Sequence, residues 1–242
     1  MHVQGVLQAM SFPLAEKFKA PQGEGLWSGT QMAFVRLVGC SVGQTVCTAC
    51  DTEFLQMHKE LGGGKHDPDE IVEWAKPCEH ICITGGEPLD RDIRPLLVAA
   101  GGLGFHSHIE TSGTKHPTWL DPGAPRPQFR VDLEMHAIVR EHASLLWVPI
   151  WLTVSPKPGY LESMIAVADE VKVILDGLGN GPGWPTVDDA LRWADIGLLV
   201  YVQPRNERTE VDRRNLDAAL EVVAKHPQLR LSCQLHKFIR TR

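Results

Sequence analysis

The stretch Cys40-Ser-Val-Gly-Gln-Thr-Val-Cys47-Thr-Ala-Cys50-Asp-Thr52 holds three of the six cysteines of the chain. The two thiolates of a C-x-x-C turn can bind one metal centre together, and Cys40 can join them as a third ligand across a loop that contains Gly43. Four thiolates would close a structural zinc site or an ordinary electron-transfer cluster, whereas three leave one position open for a substrate or cofactor. The stretch therefore predicts an iron–sulfur cluster with an open coordination position.

The cysteines alone leave two other interpretations open. One is a zinc site that a histidine such as His58 completes, and the other is a C-x-x-C redox pair with a bystander cysteine. The remaining cysteines, Cys78, Cys82 and Cys233, lie in or beside apolar segments and are interpreted as ordinary buried residues.

Composition favours one cytoplasmic domain that acts on a small molecule. The chain has 242 residues, of which 43% are hydrophobic, so it suits a single domain with a substantial core. A net charge of -6 without a dense basic run argues against nucleic-acid or membrane-surface binding. Residues 1–10 lack a signal-peptide pattern, and no apolar run approaches the roughly 20 residues of a membrane span. In the reducing cytoplasm, clustered cysteines are metal ligands more often than disulfides.

Alternating strand and helix patterns predict an α/β fold with a parallel sheet, specifically a partial (β/α)6-type barrel. The predicted strands are 32–38, 80–84, 105–110, 150–154, 170–175, 197–202 and 229–233. The predicted helices are 68–76, 90–100, 162–168, 187–193 and 212–225. The alternation weakens over 115–148, where prolines cluster, so this segment is predicted to be an elaborated loop insertion within a single domain of residues 1–242.

Polar residues or glycines follow most of the predicted strands. They are the cysteine loop, Gly85-Gly86-Glu87-Pro88, Glu110-Thr111-Ser112-Gly113-Thr114, Ser155-Pro156-Lys157 and Gln203-Pro204. In a parallel β/α fold the carboxyl ends of the strands face one mouth, so one site is expected to collect these segments. Arg36 lies inside an apolar strand and needs an anionic partner, either a structural ion pair or a ligand carboxylate or phosphate.

Three cysteines followed one β/α unit later by a Gly-Gly-Glu turn resemble the radical S-adenosylmethionine superfamily. Within that superfamily the chain resembles the 7-carboxy-7-deazaguanine synthase family of the queuosine (7-deazapurine) pathway. The matching stretches are Gln22-Gly23-Glu24-Gly25, 34–40, Cys50-Asp51-Thr52, 83–88, 109–114, 154–157, 202–204 and 231–237. The C-x6-C-x2-C spacing differs from the C-x3-C-x2-C spacing that is commonest in the superfamily, and the synthase family tolerates a variable first gap. The family pattern has a much shorter link between the ETSGT and SPK stretches, where this chain has the long segment 115–148.

The resemblance implies a role for each matching residue. A 4Fe-4S cluster would be bound by Cys40, Cys47 and Cys50, and a Mg²⁺ ion by Thr52. S-adenosylmethionine would be contacted by Gly86, Glu87, Glu110, Ser155, Lys157 and Gln203. The pterin substrate would be contacted by Gln22, Glu24, Arg36, Gly85, His236 and the α-carboxylate of Arg242.

The activity that the resemblance implies is a carbon–nitrogen lyase reaction. It converts 6-carboxy-5,6,7,8-tetrahydropterin to 7-carboxy-7-deazaguanine and ammonia by radical ring contraction. The implied partners are an electron donor of the flavodoxin or ferredoxin type and a second copy of the chain in a homodimer. An activase-type enzyme of the same superfamily, acting on a partner protein, is an alternative, but it would not need the QGEG, CDT or LQxHK stretches. A non-enzymatic metal-binding module is the alternative from another class.

Overall fold

The computed structural model describes residues 11–47, 50, 53–120, 150–207 and 209–239, and within them one sheet contains nine strands. The strands are β1 (Phe12–Pro21), β2 (Gln31–Leu37), β3 (Gly64–His66), β4 (His80–Gly85), β5 (His106–Thr111), β6 (Ile150–Val154), β7 (Glu170–Leu175), β8 (Leu199–Pro204) and β9 (Arg230–Leu231). Their order is β3-β1-β2-β4-β5-β6-β7-β8-β9. All neighbours from β2 to β9 pair in parallel, whereas β1 is antiparallel to both β2 and β3. The sheet is open, as a partial barrel requires, and the predicted fold class is confirmed.

Six helices are found in the described residues: α1 (Pro68–Ala75), α2 (Arg94–Gly102), α3 (Glu162–Val167), α4 (Val187–Asp195), α5 (Arg213–Lys225) and α6 (Leu235–Ile239). Local sequence explains where several of them begin. Asp67 and Glu70 form a reciprocal capping box at α1, with Pro68 in the first turn. Thr186 and Asp189 form the same arrangement at α4. Short 3₁₀ turns occur at Lys59–Leu61 and Pro88–Asp90.

Alternation along the parallel strands separates an apolar face from a polar face. Buried residues such as Val35, Ile83, Ile109, Val173 and Val202 belong to the same core cluster as the buried residues of α1 to α5, so the apolar face packs against the helices. The alternate positions of the same strands are mostly polar or aromatic, for example Arg36, Thr84, Glu110, Lys172 and Gln203. The helices thus cover one face of the sheet, and the other face supplies side chains to a concave interior.

Three elements go beyond the sequence-based prediction or differ from it. The sequence of residues 10–18 is compatible with either a short strand or an irregular segment, and the structure has the ten-residue strand β1 there. The glycine-rich residues 61–64 predict a flexible surface connection, and they lead into the three-residue strand β3. The strand predicted at 229–233 is shortened to Arg230–Leu231 and is followed by α6, which was not predicted. Most of the predicted insertion, 121–148, lies outside the described residues.

Aromatic side chains fill the inner face near the amino ends of the central strands. The ring of Trp27 lies 5.0 Å from the ring of His80, 5.1 Å from that of His108 and 5.6 Å from that of Trp151. Nδ1 of His80 and Nε2 of His108 are 2.9 Å apart and share a hydrogen bond. Because Trp27 follows the QGEG stretch by two residues, this aromatic floor anchors that stretch to the sheet. None of the described helices has the length and apolar character needed to cross a bilayer.

Acid should destabilise the protein through His108. Burial, and then the neighbouring His80 and His106, lower the pKa of His108 to about 3, whereas an unfolded histidine titrates near 6.5. Below about pH 6.5 the unfolded chain therefore binds a proton that the native chain excludes, and native stability falls as the pH falls toward 3. We expect His108→Gln to remove up to about 1.4 kcal/mol per pH unit of this dependence. Urea denaturation of both proteins near pH 7, 6 and 5 measures it, and identical slopes would contradict the assignment.

Candidate active site

A cavity of about 280 Å³ lies where the carboxyl ends of the parallel strands meet. Thirteen of the predicted site residues line it: Gln22, Glu24, Arg36, Cys40, Cys47, Cys50, Gly85, Gly86, Glu110, Ser155, Lys157, Gln203 and His236. Of the other predicted residues, Glu87 lies behind the lining, and Thr52 and Arg242 fall outside the described residues. Residues distant in sequence thus share one pocket, as the positions of the motifs at the strand ends suggested.

The three cysteines of the first loop share this pocket. Cys40, Cys47 and Cys50 are half-buried and not disulfide-bonded. The loop turns at Gly43, whose φ of 75° is in the left-handed region, and the Cys47 amide donates to the Gly43 carbonyl over 3.2 Å. Burial raises the pKa of Cys47, and the nearby Lys157 and Arg205 oppose that rise. Thiols with cationic neighbours in a partly enclosed pocket fit an anionic thiolate-bound cluster.

A site for one metal ion and a four-iron cluster require different separations of the thiols. In the described part of the chain, no three His, Cys, Asp or Glu side chains are close enough together to hold one metal ion. A four-iron cluster does not need that closeness, because each cysteine binds a different iron atom. His58, the candidate fourth ligand of a zinc site, does not line the cavity and lies 3.5 Å from Glu53 and 3.4 Å from Glu60.

The Gly-Gly-Glu turn packs directly on the start of the cysteine loop. β2 and β4 are adjacent and parallel, with Leu37 opposite Gly85, so their carboxyl ends leave the sheet side by side. The Gly86 amide donates to the Leu37 carbonyl over 3.0 Å, and the Glu87 amide donates to the Gly39 carbonyl over 3.0 Å. A Cβ on Gly86 would lie 1.6 Å from the Gly39 oxygen. Only glycine permits this approach, which fixes the position of Cys40 relative to the sheet.

Glu87 connects two loops from beneath the cavity. Its carboxylate is 1% exposed and accepts from the Thr111 hydroxyl at 2.6 Å, the Ser112 amide at 2.8 Å and the Leu89 amide at 3.0 Å. The Ser112 hydroxyl also donates to it. These bonds hold the Gly-Gly-Glu turn against the ETSGT segment. In this structure Glu87 therefore orients backbone at the cavity wall, and its predicted contact with the cofactor stays a prediction.

Glu24 is held by donors from three distant parts of the chain. Lys172 forms an ion pair with it, and the side-chain amides of Gln203 and Gln234 donate to Oε1 over 3.1 and 2.9 Å. Burial disfavours the charge on Glu24, but the Lys172 ammonium and the hydrogen bond from the Gln234 amide outweigh burial and lower its pKa. Glu24 is therefore a fixed anionic acceptor in the wall of the cavity.

Two polar residues of this network, Lys172 and Gln234, were missed by the sequence analysis. Lys172 lies inside the apolar strand β7, which is the same signal that singled out Arg36 in β2. A charge on a buried strand needs a partner, so the sequence contained the clue. Gln234 lies in the LSCQLHK stretch, but its role could not be seen before the short helix α6 was placed beside Glu24.

Arg36 has a protein partner as well as a place in the cavity lining. Its Nε lies 3.0 Å from Oε1 of Glu16, and its guanidinium lies 5.4 Å from the ring centre of Phe18. Phe18 in turn stacks on Phe34 at 5.0 Å. The structure therefore shows the ion pair that the sequence left as one alternative for Arg36, and the other, contact with a ligand carboxylate or phosphate, stays a prediction.

The SPK segment meets a loop whose contribution had no sequence signal. Nζ of Lys157 donates to the carbonyl and hydroxyl oxygens of Ser155 over 2.8 and 2.9 Å, and it lies 5.7 Å from the ring of Trp184. Trp184 follows the glycine-rich segment 177–183 and lines the cavity. No local pattern indicates where such a loop folds, which is why Trp184 was not predicted.

Helix α6 completes the wall beside the QGEG stretch. The Leu235 amide donates to the Gly23 carbonyl over 2.9 Å, and a Cβ on Gly23 would lie 2.6 Å from Nδ1 of His236. The structure thus brings the predicted residues Gln22, Glu24 and His236 to one side of the cavity.

The open α/β sheet, with three cysteine thiols and a Gly-Gly-Glu turn at one mouth, defines the chain as an enzyme of the radical S-adenosylmethionine class. No family model matches the chain. A curated 7-carboxy-7-deazaguanine synthase from Synechocystis sp. is 31% identical over 98% of this chain and 96% of its own length. The chain belongs to the 7-carboxy-7-deazaguanine synthase family.

Other relatives and one solved structure agree with this assignment. Synthases of the same name from Burkholderia multivorans and Escherichia coli K12 are 28% and 27% identical, each over 95% of this chain and 99% of the relative. The crystal structure of QueE from Escherichia coli superposes with a TM-score of 0.65 at 23% identity, over 95% of this chain and 96% of that one. At that identity the superposition supports the fold.

Gly86→Ala should disrupt the site more than an alanine elsewhere. The added Cβ would meet the backbone oxygen of Gly39, which cannot move without displacing the cysteine loop. We expect a loss of about 3 kcal/mol in unfolding free energy. Gly102→Ala is the matched control, because a Cβ there meets nothing within 4 Å at the end of α2, and it should be neutral or stabilise by about 0.5 kcal/mol. Urea midpoints compare the two variants, and equal midpoints would show that the close approach is unimportant.

Proposed function

We infer that the chain is a 7-carboxy-7-deazaguanine synthase and that the cavity is its active site. The reaction converts 6-carboxy-5,6,7,8-tetrahydropterin to 7-carboxy-7-deazaguanine and ammonia. The observation that carries this conclusion is the joint lining of one cavity by three cysteine thiols and by polar side chains from the QGEG, ETSGT and LQxHK stretches. Family membership favours this activity over the activase-type alternative and over a non-enzymatic metal-binding module.

The thiols, backbone groups and carboxylates that line the cavity suit the cofactors that the family resemblance implies. We propose that Cys40, Cys47 and Cys50 hold a 4Fe-4S cluster, which leaves one iron for S-adenosylmethionine. When bound, the cluster supplies the electron for reductive cleavage of S-adenosylmethionine. The proposed contacts of S-adenosylmethionine are Gly86, Glu87, Glu110, Ser155, Lys157 and Gln203. Gly86 offers a backbone surface without a side chain, and Glu110 offers an acceptor that Gln22 and Thr84 orient over 3.1 Å each.

The substrate side of the cavity offers complementary polar groups. Glu24, an oriented carboxylate, suits the guanidine-like donor edge of a pterin, and the planar guanidinium of Arg36 suits a carboxylate or carbonyl. Gln22, Gly85 and His236 are the other proposed substrate contacts of the described residues. These residues orient the substrate, and the surrounding walls exclude water from the reacting atoms.

Further proposals rest on the family resemblance. They are a Mg²⁺ ion bound by Thr52, an electron donor of the flavodoxin or ferredoxin type, a homodimer, and a cytoplasmic location. We also propose that residues 1–242 form one radical S-adenosylmethionine domain, with 115–148 as an insertion.

Turnover of the pterin tests the proposed function directly. Anaerobically reconstituted protein, supplied with a reductant, S-adenosylmethionine and Mg²⁺, should form 7-carboxy-7-deazaguanine, as detected by mass spectrometry. Alanine at Cys40, Cys47 or Cys50 should abolish bound iron, cofactor cleavage and product together, since an iron without its thiolate is labile. Cys78→Ala is the matched control and should retain all three, because Cys78 does not line the cavity. Full iron content in the Cys40 variant would reject that residue as a ligand.

Mg²⁺ dependence tests the role of Thr52. Mg²⁺ prefers hard oxygen ligands and keeps several waters, so one threonine hydroxyl is an adequate protein ligand. We expect the activity to require Mg²⁺ and Thr52→Ala to lower kcat/KM by about tenfold or more with iron content unchanged. Thr45→Ala, in the same loop, controls for a general effect of removing a hydroxyl. Turnover without Mg²⁺ at the full rate would remove Thr52 from the site.

A further inference from the structure

Lys172 lies at the junction of the two halves of the cavity wall. It projects from β7 with 3% of its surface exposed, and it lines the cavity. Its ammonium forms an ion pair with Glu24 and lies 3.5 Å from Oε1 of Glu110. Glu24 is a proposed substrate contact and Glu110 a proposed cofactor contact, so one buried cation joins the two.

The contacts of Glu24 leave room for a ligand. An ionised carboxylate has about four lone-pair positions, and three protein donors, from Lys172, Gln203 and Gln234, occupy three of them. The fourth position is available to a donor group inside the cavity. Lys172 acts on Oε2 while both amides act on Oε1, so the lysine fixes the rotation of the carboxylate.

Removing this cation would leave the partly buried carboxylates of Glu24 and Glu110 without the ammonium between them. Glu170 would lose the same cation, and Lys157 and His236 would be the basic groups that still act on Glu24. Glu110 already accepts from Gln22 and Thr84, and Glu24 would keep only its two neutral amide donors. Burial and repulsion between the two carboxylates both favour protonation of Glu24. A protonated Glu24 would have one acceptor position fewer and no charge to attract a donor edge.

We propose that Lys172 is a positioning residue for the substrate: it holds the Glu24 carboxylate ionised and oriented to accept hydrogen bonds from the planar, donor-bearing edge of a pterin. The inference rests on the proposed function and deepens it. In this proposal the Lys172–Glu24–Glu110 cluster as a whole, and not Glu24 alone, selects ligands that present an edge of hydrogen-bond donors. A ligand of the same shape with an acceptor edge would meet a fixed negative charge and bind poorly.

The test measures binding of 6-carboxy-5,6,7,8-tetrahydropterin, by anaerobic calorimetry, to reconstituted protein that holds S-adenosylmethionine. We expect Lys172→Met to weaken binding about tenfold or more near neutral pH. Its affinity should recover as the pH is raised, because Glu24 then regains its charge, whereas the parent should not show this recovery. Lys172→Arg keeps the charge and should restore part of the affinity. A role of Lys172 in packing alone would produce no recovery with pH.

A double variant separates action through Glu24 from a general structural effect. Glu24→Gln with Lys172→Met removes both members of the ion pair, and Glu110 keeps its hydrogen bonds from Gln22 and Thr84. If Lys172 acts through Glu24, the double variant should bind the pterin less than about threefold more weakly than Glu24→Gln alone does. Equal effects of Lys172→Met in both backgrounds, or unchanged pterin affinity in the single variant at every pH, would overturn the inference. A parent protein that binds no pterin would instead overturn the proposed function, and the inference with it.

Discussion

The close approach of Gly85 and Gly86 to the backbone of residues 37–40 is the constraint on which the site depends. Their amide and carbonyl groups meet across two adjacent strand ends, where the absence of both side chains is a geometric requirement. The first cysteine therefore has a fixed height above the sheet, and the loop carrying the other two begins from a fixed point. Glu87 extends this constraint to a third strand, since it binds Thr111 and Ser112.

The two faces of the sheet contribute differently to the free energy of folding. The helix-covered face buries aliphatic side chains, which supply the main favourable term in folding. The inner face carries charges whose burial is costly unless each is paired and hydrogen-bonded. Glu24, Glu110 and Lys172 meet that condition together. Ordering these charges still costs folding free energy, and the apolar, helix-covered face of the sheet offsets that cost. The aromatic floor around Trp27 closes the interior below them.

Much of this arrangement could be predicted from sequence because parallel sheets are regular. Aliphatic residues at alternate positions, such as Ile81 and Ile83, marked the strands, and the parallel order placed the polar residues that follow them at one mouth. Helix α1 was predictable from its capping residues Asp67 and Glu70.

What could not be predicted depends on tertiary contacts or on very short elements. β1 contains Lys17 and Lys19, which obscure its pattern, and it is a strand because it pairs with both β2 and β3. β3 and α6 have three and five residues, too few for a periodic signal. The partnership of Glu24 with Lys172 joins residues far apart in sequence, and only the placement of β7 beside the QGEG stretch reveals it.

The contact between Gly23 and Leu235 has a consequence for the order in which the protein matures. The QGEG stretch is synthesised before the parallel strands, whereas α6, which forms the facing wall, is synthesised after all nine strands of the described sheet. Because chains emerge from the amino end, a nascent chain can form much of the sheet before its pocket has both walls. The cysteine loop is then exposed to metal donors and oxidants while the pocket is still incomplete. Cluster delivery to a chain of this design is therefore best timed after α6 has been synthesised and has closed the wall.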